Sequence, residues 1–263
     1  MAQVKILSGY SDGGGSTIAF INLTNECNIR GIDCTFYGRH GWHLNKCKSG
    51  LLSDYSPDPS DSIITHFLRP IDRPRAKRVV LSCHEKWSYM VSDDSCHWDT
   101  AIFLHESHAR YHAGYTGDYC IIPNIKERIP VRKKPGYHES AGIIGTIEPN
   151  KQVHISIMRA LSGGYRKVLI FGRIGDMEYF LKEVRPLLSD RVIMMGEISN
   201  KEEIYSSIGV VYHSSISEVA TLVKDECYTT RTRFEGNEET RNVTSSLSND
   251  KIIELWRDAL QLD

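Results

Sequence analysis

The 263-residue sequence contains no run of eighteen apolar residues, so nothing in it reads as a membrane-spanning helix. No C-x-x-C occurs among its seven cysteines (Cys27, Cys34, Cys47, Cys83, Cys96, Cys120 and Cys227), and their number is odd. Reduced thiols in a cytoplasmic protein are the simplest account, and the N-x-T triplets at Asn22 and Asn242 then carry no glycan. The net charge is only -1, which argues against a dedicated nucleic-acid binder. G-x-G-x-x-G, H-E-x-x-H and D-x-D are all absent; Asp93-Asp94 lacks the spacer of the last. These absences remove the dinucleotide fingerprint, the zincin helix and the common metal–nucleotide triplet. The first residues, M-A-Q-V-K-I-L-S-G-Y, read as the start of a strand and not as a signal peptide.

What is present is an ordinary globular composition, 40% hydrophobic and 25% charged, enough for one large core or two of about 130 residues. Val4 to Leu7 reads as a strand, Gly13-Gly14-Gly15 as a glycine-rich turn, and Ile18 to Ile29 as an apolar-periodic helix. A strand from Ile32 to Tyr37 completes a β-α-β opening whose glycines would let backbone N–H groups approach an anion. His40 to Asp61 has loop composition; Cys34, His40, His43 and Cys47 fit no standard zinc spacing. Two short strands follow (62–67 and 78–83), joined by the basic cluster Arg69, Arg73, Arg75, Lys77 and Arg78, read as a solvated connection. The second ends in Cys83-His84-Glu85, and strand ends are where ligands gather in an open parallel sheet. After a strand at 101–104, His105, His108 and His112 share a helix face, and H-E-S-H not being H-E-x-x-H, it reads as a polar face. A strand ends at Pro123-Asn124, and the Pro- and charge-rich stretch from Lys126 to Gly136 reads as a linker. This places one domain at 1–136 and a second at 137–263.

The second half alternates strands (141–145, 167–171, 191–195 and 208–212) with helices (153–161, 177–188 and 198–206). That alternation means a doubly wound α/β domain, so two Rossmann-like domains facing each other across a cleft are expected. A final amphipathic helix, 250–260, is capped by Ser248 or Asn249. Between strand 208–212 and the residues near 240 lie Glu218 and, eight positions on, Glu226. Ionised carboxylates only accept hydrogen bonds, so such a pair suits a polyhydroxylated ligand, and a helix N-terminus between them would favour a phosphate. The same spacing also suits two surface glutamates on a solvated helix.

The order of motifs resembles the retaining GT-B glycosyltransferases of the group 1 family (family 4-like), which includes phosphatidylinositol mannosyltransferases and sucrose synthases. The resemblance rests on Gly13-Gly14-Gly15; on Leu81-Ser82-Cys83-His84-Glu85; on Ile121-Ile122-Pro123-Asn124; on Ile144 to Lys151, against the family's G-R-L-x-x-x-K; on Met195-Gly196-Glu197-Ile198; on Ser214 to Glu226, against S-x-x-E-x7-E; and on Glu235-Gly236-Asn237-Glu238. Thr146 stands where the family has arginine, Ile125 where it has glycine, the G-x-P after the second glutamate is absent, and the chain is short for a member.

The resemblance implies transfer of a sugar from a nucleoside-diphosphate sugar to an acceptor, with retention and no obligatory metal or other cofactor. In that reading Lys151 neutralises the diphosphate with help from Arg173 and the Gly14 and Gly15 amides; Gly196 and Glu197 lie beside the base; Glu218 holds the sugar hydroxyls, Glu226 the ribose diol, and His84 the sugar near its anomeric centre. A glycan, lipid or protein acceptor is expected ahead of a nucleic acid. The alternative is a catalytically weak or inactive GT-B-like module that binds a nucleotide or glycan, to which the missing arginine points. A different Rossmann-type enzyme, an epimerase or oxidoreductase, loses ground for want of a dinucleotide fingerprint.

Overall fold

A computed structural model describes residues 3–68, 75–86, 98–241 and 245–262. Arg69 and Arg73 of the basic cluster, the Asp93-Asp94 pair, Cys96 and Asn242 lie outside the described residues. The chain divides into two compact units, one formed by Met1–Lys126 with Ser245–Asp263, the other by Glu127–Thr244.

The first unit is built on a seven-stranded parallel sheet. Its strands are β1 (Gln3–Ser8), β2 (Asp33–Gly38), β3 (Ser49–Leu51), β4 (Ser62–His66), β5 (Arg78–Ser82), β6 (Thr100–Phe103) and β7 (Tyr119–Ile121), in the order β3-β2-β1-β4-β5-β6-β7. Helix α1 (Gly15–Ile29) follows β1 and α2 (Glu106–Tyr111) follows β6. An all-parallel sheet must be covered on both faces, and its side chains alternate accordingly. Val4 and Ile6 of β1 pack with Phe20, Leu23 and Cys27 of α1, whereas Leu7 turns to the opposite core with Ile63, Leu81 and Phe103. The edge strand β3 and two short 3₁₀ turns, Gly41–His43 and Leu52–Asp54, occupy the stretch read as loop. The strand is only three residues long and carries a glycine, so no two-residue alternation betrays it in the sequence.

The second unit holds a five-stranded parallel sheet. It comprises β8 (Ser140–Ile144), β9 (Lys167–Phe171), β10 (Val192–Gly196), β11 (Val210–His213) and β12 (Arg233–Gly236), in the order β10-β9-β8-β11-β12. The helices are α3 (Val153–Ser162), α4 (Met177–Tyr179), α5 (Lys201–Ser206), α6 (Leu222–Thr229) and α7 (Glu238–Arg241). The 177–188 stretch is not one helix: α4 continues into a π turn, Phe180–Val184, and a 3₁₀ turn, Arg185–Leu187. Pro186 has no N–H to give to an α-helical ladder, which accounts for the break there.

The boundary and the last helix depart from expectation. α8 (Asn249–Leu260) belongs to the first unit and not to a 137–263 domain: Ile252, Ile253, Trp256, Ala259 and Leu260 are buried with Phe20, Ile64 and Ile125. Ser248 caps its start, accepting a bond from the Lys251 N–H at 3.3 Å. Its last carbonyls are held by the first sheet, from Arg78 Nε to Ala259 O (3.1 Å), Ser62 Oγ to Leu260 O (3.2 Å) and Lys77 Nζ to Gln261 O (3.0 Å). Cations at a helix C-terminus complement its dipole. Lys77 and Arg78 are therefore structural clamps, not members of a free basic patch. The linker-like stretch is likewise anchored in the second unit. Ile129 joins its core, and Lys133 Nζ donates to Tyr205 O (2.8 Å), Ile208 O (3.1 Å) and Thr232 Oγ1 (2.7 Å).

Candidate functional site

In the second unit, four loops leave the carboxyl ends of β8, β9, β10 and β11, where open α/β sheets hold their ligands. Gly172 ties three of them together. Its φ is +156°, a Cβ on it would lie 1.9 Å from the Gly145 carbonyl oxygen, and its N–H donates to Gly196 O at 2.8 Å. The Ile147 N–H donates to Arg173 O at 2.9 Å, and Gly175 and Asp176 donate back to Ile147 O. Arg173, exposed, thus leaves the chain directly beside the Thr146–Ile147 turn that carries no arginine of its own. The fourth loop is fixed to the first by Ile216 N to Asn150 O (3.0 Å) and Ser215 Oγ to the same oxygen (3.2 Å). Arg159 Nη1 to Ser214 Oγ (2.9 Å) and Asn237 Nδ2 to Ser215 O (2.8 Å) pin it from below.

This scaffold brings Lys151 and Glu218 together. A 3₁₀ turn, Pro149–Lys151, and a left-handed Gln152 set Lys151 just ahead of α3, and its Nζ donates to Glu218 Oε1 at 2.6 Å. His213, the last residue of β11, shares that oxygen: its Nε2 lies 3.1 Å away, and because an ionised carboxylate only accepts, Nε2 carries the proton. Burial alone would raise the Glu218 pKa, but His213 and Lys151 outweigh it and hold the carboxyl down at about 2. The result is an ionised carboxylate, 11% exposed, with Oε1 tied to the protein and Oε2 with no protein partner among the described residues.

Glu226 sits differently. It is buried within α6, Lys201 Nζ donates to its Oε1 at 2.7 Å, and the Tyr205 hydroxyl donates to Oε2 at 2.6 Å. Lys201 also pairs with Glu127, so Glu226 belongs to a buried network with α5 and makes no contact with the Lys151–Glu218 pair. Gly196, at φ +76°, closes β10 on a bulge, and Glu197 beside it is exposed. At the start of α6 the cap residue Thr221 is buried, and its hydroxyl finds no hydrogen-bond partner.

In the first unit, Gly13 has φ +93° and its missing Cβ leaves room for the Trp42 ring; Lys46 lies over that ring. Gly14 is the cap residue of α1 and Gly15 its first residue; the Gly14 N–H is taken by Asp12 Oδ1 at 3.0 Å, and no side chain caps the helix. His84 follows β5 and lines a small recess, of about the size of one water molecule, with Phe20, Asn124, Ile125 and Trp256. Burial, with His66 and His108 adding to it, holds the His84 ring neutral by lowering its pKa well below the ordinary value. The three histidines all make polar contacts within the first unit. His105 caps α2, while His108 and His112 turn inward and donate from Nε2 to the carbonyl of Glu85 at 2.9 and 3.0 Å. Glu85 in turn meets His66 Nε2 at 2.9 Å, so the loop after β5 is held from three sides. Among the described residues, no three His, Cys, Asp or Glu side chains form a group that could hold a metal ion.

Sequence reasoning missed His213, Lys201 and the Glu85 clamp. His213 had a legible signal, since it stands at a strand's carboxyl end five residues before Glu218. The partners of Glu85 depend on packing between β5 and α2, which no local pattern encodes.

No protein-family model matches the sequence, and no curated protein matches it. Among solved structures, Anabaena HepE in complex with UDP and glucose superposes over 100% of this chain and 90% of its own, with a TM-score of 0.71 at 12% identity. The solved structures similar to this chain are GT-B glycosyltransferases. The fold is GT-B. Sucrose-phosphate synthase from Thermosynechococcus elongatus matches over 91% of this chain and 82% of its own (TM-score 0.65, 14% identity). WaaG, a glycosyltransferase of lipopolysaccharide biosynthesis, matches over 98% and 90% (0.62, 12%). HepE has also been captured with UDP-glucose. Among the described residues of this GT-B chain, no helix is long and apolar enough to cross a membrane.

Proposed function

We propose that the chain is a glycosyltransferase that moves a sugar from a nucleoside-diphosphate sugar to a glycan, lipid or protein acceptor with retention of configuration, in the cytoplasm and without an obligatory metal. The observation that carries this reading is the Lys151–Glu218–His213 cluster at the carboxyl ends of β8 and β11. It offers a cation for a departing diphosphate and an ionised acceptor for sugar hydroxyls a few ångströms apart, which is the charge pattern such a transition state requires. In this reading Lys151, with Arg173, neutralises the diphosphate; Glu218 uses its unpartnered Oε2 on the sugar; and the start of α1 offers the Gly15 N–H to an anion, the Gly14 N–H joining it only where the anion displaces Asp12. His84, neutral, would hydrogen-bond the sugar near its anomeric centre. Gly196 and Glu197 would flank the base. Glu226 would take the ribose diol on the lone pairs that Lys201 and Tyr205 leave over. The free cysteines suit a reducing compartment. The 1–136 and 137–263 expectation of an acceptor-side and a donor-side domain carries over to the two units as a proposal.

Turnover tests this. Across a panel of nucleotide-sugars the wild type should hydrolyse or transfer from at least one, and Glu218→Ala and Lys151→Ala should each abolish it with circular dichroism unchanged. Full activity in both variants would show the assignment to be wrong. Thr146, which supplies a methyl against Gly175 where a cation is expected, favours the second reading of a binding module; binding of a nucleotide-sugar without turnover would select it.

A further inference from the structure

We infer that His213 is a positioning residue for Glu218, holding the carboxylate in its donor-binding orientation once Lys151 has been drawn away to the diphosphate. The inference rests on the donor reading above and adds a residue to it. Lys151 has two calls on one charge. With no ligand it lies 2.6 Å from Glu218 Oε1, and a diphosphate beside it carries more negative charge than one carboxylate. When the ammonium turns toward that diphosphate, Oε1 loses its closest donor. What then remains on the same oxygen is His213 Nε2, at 3.1 Å.

The histidine is built to stay. Its backbone is in the β11 ladder, paired in parallel with Gly236 of β12. The residue is 5% exposed, and its ring centroid lies 6.0 Å from that of Phe234. Lys151, by contrast, is a flexible stem 25% exposed at the end of a 3₁₀ turn. One partner is a long, partly exposed stem, the other a buried ring on a strand. A fixed N–H donor on Oε1 holds the carboxylate's direction and leaves Oε2 to the sugar hydroxyls. The next residue, Ser214, is tied to Arg159, so the loop between His213 and Glu218 has little freedom to realign the carboxylate by itself.

The test compares how much the sugar adds to binding. Calorimetry measures the affinity of a nucleoside diphosphate and of its hexose conjugate, using the best-binding pair from UDP, GDP, ADP and dTDP, on wild type, His213→Leu and His213→Gln. Leucine keeps the packing against Phe234 and donates nothing; glutamine offers an N–H at a similar reach. We expect His213→Leu to leave diphosphate affinity within about twofold while the conjugate loses about tenfold, and turnover with it, equivalent to about 1.4 kcal/mol. His213→Gln should recover most of both. If His213→Leu binds and turns over the conjugate like wild type, the positioning role is refuted. Should the leucine variant not fold, His213→Asn, too short to reach Oε1, decides by the same comparison. If no diphosphate binds wild type, the donor reading falls, and this inference falls with it.

Discussion

Replacing Glu218 by glutamine should cost stability in a way that depends on pH in a defined direction. The carboxyl titrates at about 2 in the folded chain against an ordinary value of 4.5. A group whose pKa falls on folding contributes stability that is complete above its unfolded pKa and is lost as the pH drops through its folded one. A fall of that size corresponds to about 3 kcal/mol at pH 7. The group is 11% exposed, so solvent screening takes little from this. The glutamine amide still accepts one hydrogen bond at the Oε1 position, which makes 3 kcal/mol the upper end of the expected loss. The gap between wild type and Glu218→Gln should shrink to roughly 1 kcal/mol at pH 3, where most unfolded carboxyls are already protonated. Trp42, Trp98 and Trp256 lie in the first unit and the sequence has no tryptophan from Glu127 to Thr244, so fluorescence is silent on the second unit and circular dichroism carries it. Urea unfolding at pH 7, 5 and 3 should show the loss in the dichroism transition and not in fluorescence. A gap below about 0.5 kcal/mol at pH 7, or one that stays constant down to pH 3, would refute the electrostatic account of this site.

Two further perturbations test the scaffold. Gly172→Ala forces a Cβ to within 1.9 Å of the Gly145 carbonyl, whereas Gly196→Ala meets nothing within 4 Å and pays only for φ +76°. Thermal denaturation should rank the first well below the second, which should lose about 1 kcal/mol; equal losses would mean that the Gly145–Gly172 contact is not what fixes these loops. Trp256→Ala, at a residue 5% exposed in the α1–α8 core, should destabilise the first unit by about 3–5 kcal/mol, seen in the fluorescence of the other tryptophans. A loss under 1 kcal/mol would contradict the placement of α8 there.

Most of the fold could be read from the sequence because parallel sheets announce themselves. Val79-Val80-Leu81 and Val168-Leu169-Ile170 are continuous apolar runs, and the segments between the second-half strands carry helical periodicity, so the α/β alternation followed. The strand β3 and the break at Pro186 were not legible, being too short or too local to leave a periodic trace. The owner of α8 was not legible either. Its stripe of Ile252, Ile253, Trp256 and Ala259 says that it must be buried, but not against which sheet; that is decided by Lys77, Arg78 and Ser62, which wait at the end of the first sheet for its carbonyls. At the site, Lys151 and Glu218 were found as separate motifs 67 residues apart, and the structure makes them a pair. His213 was overlooked because one histidine at a strand end is unremarkable until its neighbour's carboxylate is located.

The claim at the centre is that Lys151 and Glu218 serve the two halves of one donor. Isothermal titration of wild type, Lys151→Met and Glu218→Ala with a nucleoside diphosphate and its sugar conjugate tests it most directly. The account predicts that Lys151→Met weakens both ligands by about tenfold or more, while Glu218→Ala leaves the diphosphate nearly unchanged and removes what the sugar adds. Equal affinities in all three proteins, or no binding of any nucleoside diphosphate to wild type, would contradict it.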